Sequence, residues 1–134
     1  MKKTKLFKPY TKEGRCTMQP KQGARAGVYF IFKDNKPVYV GHSQSNLYKT
    51  MYRHFQSWPD DTQRRVTYKN LSGITCRVIF CPASKATLLE EACILKYKPR
   101  DNEQKLQFYT DKQRDNIIQQ FEDTGVIDIE NVPF

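Results

Sequence analysis

A buried-looking carboxylate, two histidines and a pair of tyrosines are the residues of this 134-residue chain that could do chemistry together. Between Ala83 and Tyr97 the apolar residues recur at helical spacing. Successive side chains on a helix turn by about 100°, which gathers Ala86, Leu89, Cys93, Ile94 and Tyr97 into one apolar stripe. Glu90 falls inside that stripe, and Glu91 at its edge. A carboxylate on an apolar face is costly unless it is paired or binds a cation. Two readings of Glu90 therefore stay open, a structural ion pair and a metal ligand. His54 poses the same question on an earlier helix. It shares a face with Leu47, Met51 and Trp58, and Thr50 lies one turn before it. A lone histidine in that setting is more often packed core than catalyst. The only other histidine, His42, follows Gly41 directly, however, and both fall just after a candidate hairpin. That tilts the reading towards a site, since imidazole titrates near neutrality.

The elements that must position these groups are legible from pattern. Gly27-Val28-Tyr29-Phe30-Ile31-Phe32 is rich in β-branched and aromatic residues and reads as a strand. Asp34-Asn35-Lys36 is a turn signal, and Val38-Tyr39-Val40-Gly41 a second strand, so the two make a hairpin. Leu47, Met51, His54, Phe55 and Trp58 predict a helix over roughly 46–57. Residues 62–72 read as a polar loop, and Ile74–Phe80 as a third strand. Pro82-Ala83-Ser84 opens a helix to about Tyr97, with Ser84 as N-cap and Pro99 as its stop. A last helix spans 111–123, capped by Thr110 and ended before Gly125. The order β-β-α-β-α with a helical tail predicts an α+β fold. Its sheet is small, three-stranded and mainly antiparallel, flanked by helices. Such a fold does not dictate function.

The hairpin and the late helix together resemble the GIY-YIG nuclease superfamily. Gly27-Val28-Tyr29 and Tyr39-Val40-Gly41 look like the two halves of its signature. Leu88-Leu89-Glu90, Ile94 and Pro99-Arg100-Asp101-Asn102 resemble its late motif. Each tripeptide alone is a weak signal, and the combination is much stronger. The resemblance covers roughly 26–102. It divides the chain into a basic arm (1–25), a nuclease-like domain (26–102) and an acidic helical extension (103–134).

The resemblance implies a metal-dependent DNA endonuclease. Glu90 would hold one Mg²⁺ or Mn²⁺, hard cations suited to carboxylate and water. Tyr29 would orient or deprotonate the attacking water, with His42 as a candidate helper. Tyr39 and His54 would hold the phosphate or the water network, and Asn102 and Gly41 would support the site. The family's Arg, four residues before its His or Tyr, falls here on Thr50, because Arg53-His54-Phe55 aligns with members that carry a His. A Thr cannot supply the planar charged fork of an Arg. Either Arg53, one turn along, reaches the phosphate, or the enzyme is weakened or inactive; Lys49 is a lesser substitute. The alternative function is thus a non-catalytic DNA-binding accessory protein of the same fold.

Charge fits a polyanionic partner. The formal net charge is +9, with eight Lys or Arg against one Glu in residues 1–25. Residues 26–100 hold twelve basic and five acidic residues, and 101–134 three basic and eight acidic. Such a field attracts nucleic acid. The arm could follow a DNA backbone or merely solubilise the chain. Arg64, Arg65, Tyr68 and Lys69 mix basic and aromatic groups and could contact DNA, and a solvated loop explains them nearly as well. The small extension after Asn102 predicts weak sequence specificity in isolation (non-specific DNA), a preference for a DNA shape such as branched DNA, or a protein partner; whether the chain forms a homodimer is not legible in the sequence. An RNA-binding module ranks lower, for want of an aromatic ribonucleoprotein motif. No Gly-rich phosphate loop or Ser or Cys nucleophile motif supports unrelated chemistry. Cys16, Cys76, Cys81 and Cys93 form no C-x-x-C pair, so a zinc site is not expected. No apolar run is long enough to span a bilayer, and the N-terminus lacks a signal-peptide core. The expectation is a soluble, cytoplasmic protein that does not engage membranes.

Overall fold

The sheet is built around a hairpin whose turn the sequence specifies. In a computed structural model, β2 (Gly27–Lys33) and β3 (Lys36–Ser43) run antiparallel. Asp34 and Asn35 between them take φ of 50° and 67°. Two successive positive φ values suit the right-handed twist of a tight hairpin, and Asp and Asn tolerate them. The structure describes residues 1–17, 25–55, 68, 71–102, 109–122 and 125–127. Arg64, Arg65 and Lys69, and Trp58 of the predicted helix face, lie outside these residues.

β4 (Ile74–Phe80) pairs antiparallel with the other edge of β2, so β2 is central and buried along nearly its whole length. A fourth strand, not expected from the sequence, comes from the basic arm. β1 (Lys2–Lys3) pairs with the outer edge of β4, giving the order β1-β4-β2-β3. Thr4 extends this seam: its N–H donates to the Val78 carbonyl at 2.9 Å, and its hydroxyl accepts from the Val78 N–H at 3.1 Å. Phe7 bridges to Cys76, and the Tyr10 hydroxyl donates to the Phe55 carbonyl at 3.2 Å. At least residues 1–17 of the arm are therefore part of the folded body. A two-residue strand carries too little periodicity to be read from sequence.

Strand alternation sorts the core onto two faces. Val28, Phe30, Phe32 and Ile79 face α2 (Ala83–Tyr97) and α3 (Asp111–Glu122), packing with Leu89, Cys93, Ile94 and Phe121. Tyr29, Ile31, Cys76 and Val78 face the other way, towards α1 (Leu47–Tyr52), with Leu47, Met51, Phe55 and Tyr68. Arg77 is wholly buried, and its Nε donates to the Thr4 carbonyl at 2.8 Å. Both of its terminal nitrogens lack a partner among the described residues, and burial lowers its pKa.

The helix ends partly depart from expectation. α1 stops at Tyr52 and tightens into a 3-10 turn over Arg53–Phe55, so it is shorter than its apolar spacing suggested. Its cap is Asn46, whose side chain accepts from the Lys49 N–H at 3.2 Å. α2 begins one residue before Ser84, which is not its cap; Pro82 holds that place with no side-chain hydrogen bond. The helix ends with Lys98 in the left-handed region, bonded back to Ile94, directly before Pro99. α3 opens on Thr110, which forms a reciprocal capping box with Gln113 at 3.1 and 2.9 Å. Among the described residues no helix is long and apolar enough to cross a membrane. The four cysteines are free thiols, with Cys76 and Cys93 buried. Burial pushes both thiols well above their usual range.

Candidate active site

β3 is an edge strand of the sheet among the described residues, and α1 and α2 both pack against it from opposite faces. Their side chains meet at its exposed edge. There a pocket of about 290 Å³ opens, lined by Tyr29, Tyr39, Gly41, His42, Thr50, His54 and Glu90. Residues far apart in sequence thus converge because two helices flank one strand.

Tyr29 projects from the central strand and is only 2% exposed. Its register partner on β3 is Gly41. A β-carbon at position 41 would collide with the Tyr29 ring and hydroxyl, so the glycine is what lets the phenol lie across the neighbouring strand. The Tyr29 hydroxyl lies 2.8 Å from His54 Nε2. The hydroxyl donates in the tautomer that carries its proton on Nδ1. His54 comes from the 3-10 turn and is itself buried. The Tyr39 ring lies against its imidazole, with centroids 4.5 Å apart.

The opposite wall is acidic. Glu90 projects from α2 with a side chain only 5% exposed. Its Oε2 is in hydrogen-bonding contact with His42 Nδ1, and the other ring nitrogen of His42 lies 3.3 Å from the Thr87 hydroxyl. Gln44 donates to the same hydroxyl at 3.5 Å. The helper expected beside Tyr29 was His42; instead His42 stands on Glu90, and the partner of Tyr29 is His54. The sequence put both histidines near the hairpin but had no means of assigning them to separate walls.

Asn102 acts from behind. Its Oδ1 accepts from the Val40 N–H at 2.8 Å, and its amide donates to the Val40 carbonyl at 3.0 Å. The side chain thus pairs with the edge strand as another strand would, between Tyr39 and Gly41. Thr50 lines the pocket at the place the family pattern gives to an Arg. Arg53 is half-buried and Lys49 exposed, and neither lines the pocket. Among the described residues no Arg or Lys lines it.

Two contributors escaped the sequence reading. Thr87 carried no signal, being an exposed helical residue. Tyr68 sits among basic residues in the sequence, as a DNA-contacting loop would place it, yet it is 1% exposed and packs on His54, with centroids 6.2 Å apart. Its N–H donates to the His54 carbonyl and its hydroxyl to Asp101 Oδ2, both at 2.6 Å. Burial, together with that bond to a carboxylate, raises the Tyr68 phenol far above its ordinary range. It packs behind His54 and does not itself line the pocket.

A model of the GIY-YIG catalytic domain matches residues 25–107. The chain belongs to the GIY-YIG family. The match takes in the hairpin, α1 and α2, which line the pocket, together with β4 and Asn102 behind it. Over 78 residues this GIY-YIG chain is 31% identical to UvrABC system protein C of Aquifex aeolicus (strain VF5). That alignment covers 58% of the chain but 13% of the relative. No solved structure matches the chain.

The donor set fits a hard divalent cation. Glu90 offers a carboxylate on the wall of an open pocket, near phenol and hydroxyl oxygens. No group of three or more His, Cys, Asp or Glu among the described residues could hold an ion by itself. Open positions on such an ion would fall to water and substrate oxygens.

Proposed function

We propose that this GIY-YIG chain is a DNA endonuclease that hydrolyses phosphodiesters with one divalent metal ion, Mg²⁺ or Mn²⁺, at Glu90. The observation that carries the reading is the Tyr29–His54 hydrogen bond facing Glu90 across one pocket. Residues 26–102 would carry the chemistry. A bound divalent cation would supply Lewis-acid stabilisation of the phosphate and of the departing 3′ oxygen.

The protein's own groups handle the proton. A free phenol has a pKa of about 10, so at pH 7 roughly one in a thousand is ionised. Tyr29 is therefore a poor base alone. With its hydroxyl donating to His54 Nε2, it can take a proton from water as its own proton passes to the imidazole. The resulting hydroxide attacks phosphorus, the P–O3′ bond breaks, and solvent protonates the 3′ oxygen. Tyr39 holds the His54 ring in place by packing, and His42 and Thr87 orient the Glu90 carboxylate.

Supercoiled plasmid and branched and linear DNAs, incubated with Mg²⁺, Mn²⁺ or EDTA, test the reading. Metal-dependent cleavage is expected. Glu90→Ala should abolish it, and Tyr29→Phe should slow it by about 10²- to 10⁴-fold. A second reading rests on Thr50, which leaves the pocket without a described cation where phosphate charge must be met. It makes the protein a DNA-binding accessory. Binding without cleavage, identical in wild type and Glu90→Ala, would establish that reading and end the enzymatic one.

A further inference from the structure

His42 and Glu90 form a pair whose chemistry is not exhausted by orienting a carboxylate. Nδ1 and Oε2 face each other in contact, with the carboxylate buried and the imidazole 29% exposed towards the pocket. When Nε2 carries the ring proton, it donates to the Thr87 hydroxyl, and the Nδ1 lone pair points at a carboxylate oxygen. Two acceptors in contact repel unless a cation lies between them, either a proton or a metal. Neighbouring ligands at about 2.1 Å from one ion stand roughly 3 Å apart, so the two atoms need only part slightly for a metal to take the proton's place between them. A hydrogen bond from the second ring nitrogen is what fixes the tautomer of a metal-bound histidine. Thr87, itself contacted by Gln44, provides that partner.

We propose that His42 Nδ1 and Glu90 together ligate the divalent cation, so that the site favours an imidazole-accepting ion over Mg²⁺. This deepens the nuclease reading and rests on its choice of Glu90 as the metal ligand. An all-oxygen site discriminates weakly between Mg²⁺ and Mn²⁺. A mixed nitrogen–oxygen site gains affinity along the series from Mn²⁺ through Co²⁺ to Ni²⁺. Mg²⁺ accepts nitrogen ligands reluctantly and keeps most of its water.

Equilibrium binding of Mn²⁺ to the full, tag-free chain, read from the free-Mn²⁺ paramagnetic resonance signal, tests this without DNA. Mg²⁺, Co²⁺ and Ni²⁺ serve as competitors. The expected result is one Mn²⁺ site that Ni²⁺ displaces far more readily than Mg²⁺ does. His42→Ala should weaken Mn²⁺ binding about 10- to 100-fold and narrow the Ni²⁺-to-Mg²⁺ preference, and Thr87→Ala should do so to a lesser degree. Electron spin echo of bound Mn²⁺ should show nitrogen coupling in the wild type, which needs no variant to fold. The chain has only two histidines, so coupling retained in His54→Phe and lost in His42→Ala identifies the ligand. No Mn²⁺ binding, no nitrogen coupling, or unchanged metal preference in His42→Ala each overturns the proposal. Metal binding of this kind without DNA cleavage would leave the ligand assignment standing and sink the nuclease reading. Mg²⁺-supported cleavage by an unimpaired His42→Ala would do the reverse.

Discussion

A β-carbon at position 41 would strike the Tyr29 ring at its hydroxyl end. The ring is held between β3 and His54, so relief requires it to leave Nε2 or the strands to part. Gly41→Ala is expected to lower stability by about 1–3 kcal/mol and cleavage by more than tenfold. Denaturant titration beside a plasmid assay measures both, and wild-type cleavage in Gly41→Ala would show that the phenol's position is not critical. Asp101 shows a different balance. Burial pushes its carboxyl up, but hydrogen bonds from Arg100 and Tyr68, with the Arg100 charge, bring it below its ordinary value. A carboxyl with a depressed folded pKa stabilises the fold above its unfolded pKa, and that contribution is lost as pH falls through the folded value. Asp101→Asn should therefore lower stability by about 1 kcal/mol at neutral pH. The two proteins should converge in acid, below the ordinary carboxyl pKa of about 3.9. A gap that persists undiminished in acid would assign the effect to packing alone.

At the scale of elements, the edge strand is the weak point of the site. β3 carries Tyr39, Gly41 and His42, yet no strand among the described residues lies beside its outer edge. Unpaired edges are where strands fray. Asn102 meets this by pairing with both backbone groups of the fully buried Val40. Asn102→Ala leaves a buried N–H and carbonyl without partners, which should cost about 2 kcal/mol. Asn102→Asp keeps only the acceptor and should fall between. Amide exchange at Val40 reads the local effect directly. Unchanged protection there in Asn102→Ala would mean that helix packing alone holds the strand.

For the whole molecule, the basic arm has a structural role as well as a charge. Its first residues close the sheet edge at β4, and Phe7 and Tyr10 pack on the α1-side core. Deleting residues 1–7 is expected to lower stability by about 3 kcal/mol, through lost strand pairing, the bonds of Thr4 and buried apolar area. A solvated tail would leave the unfolding midpoint unchanged. The net charge of +9 has its own signature. If six or more phosphates are neutralised, DNA affinity should fall by about 10³-fold or more between 50 and 200 mM salt. A flat response would mean that the charge does not face the DNA.

Most of the elements, and the family, are legible in the sequence. The hairpin was legible because Asp34-Asn35 admits the positive φ of its turn and its flanks are β-formers. α2 was legible because apolar residues recur at helical spacing between Pro82 and Pro99, and that stripe exposed Glu90 as an oddity. Asn102 and Gly41 were found through family spacing, while their physical duties, pairing with Val40 and making room for Tyr29, appeared only in three dimensions. Which histidine meets which partner follows from packing alone, since it depends on α1 and α2 lying on opposite faces of one edge strand. The tertiary structure also decided that Thr50 and His54 line the pocket and Arg53 does not. Strand β1 and the burial of Tyr68 were likewise beyond the sequence. Both depend on contacts between residues tens of positions apart, which no local period records.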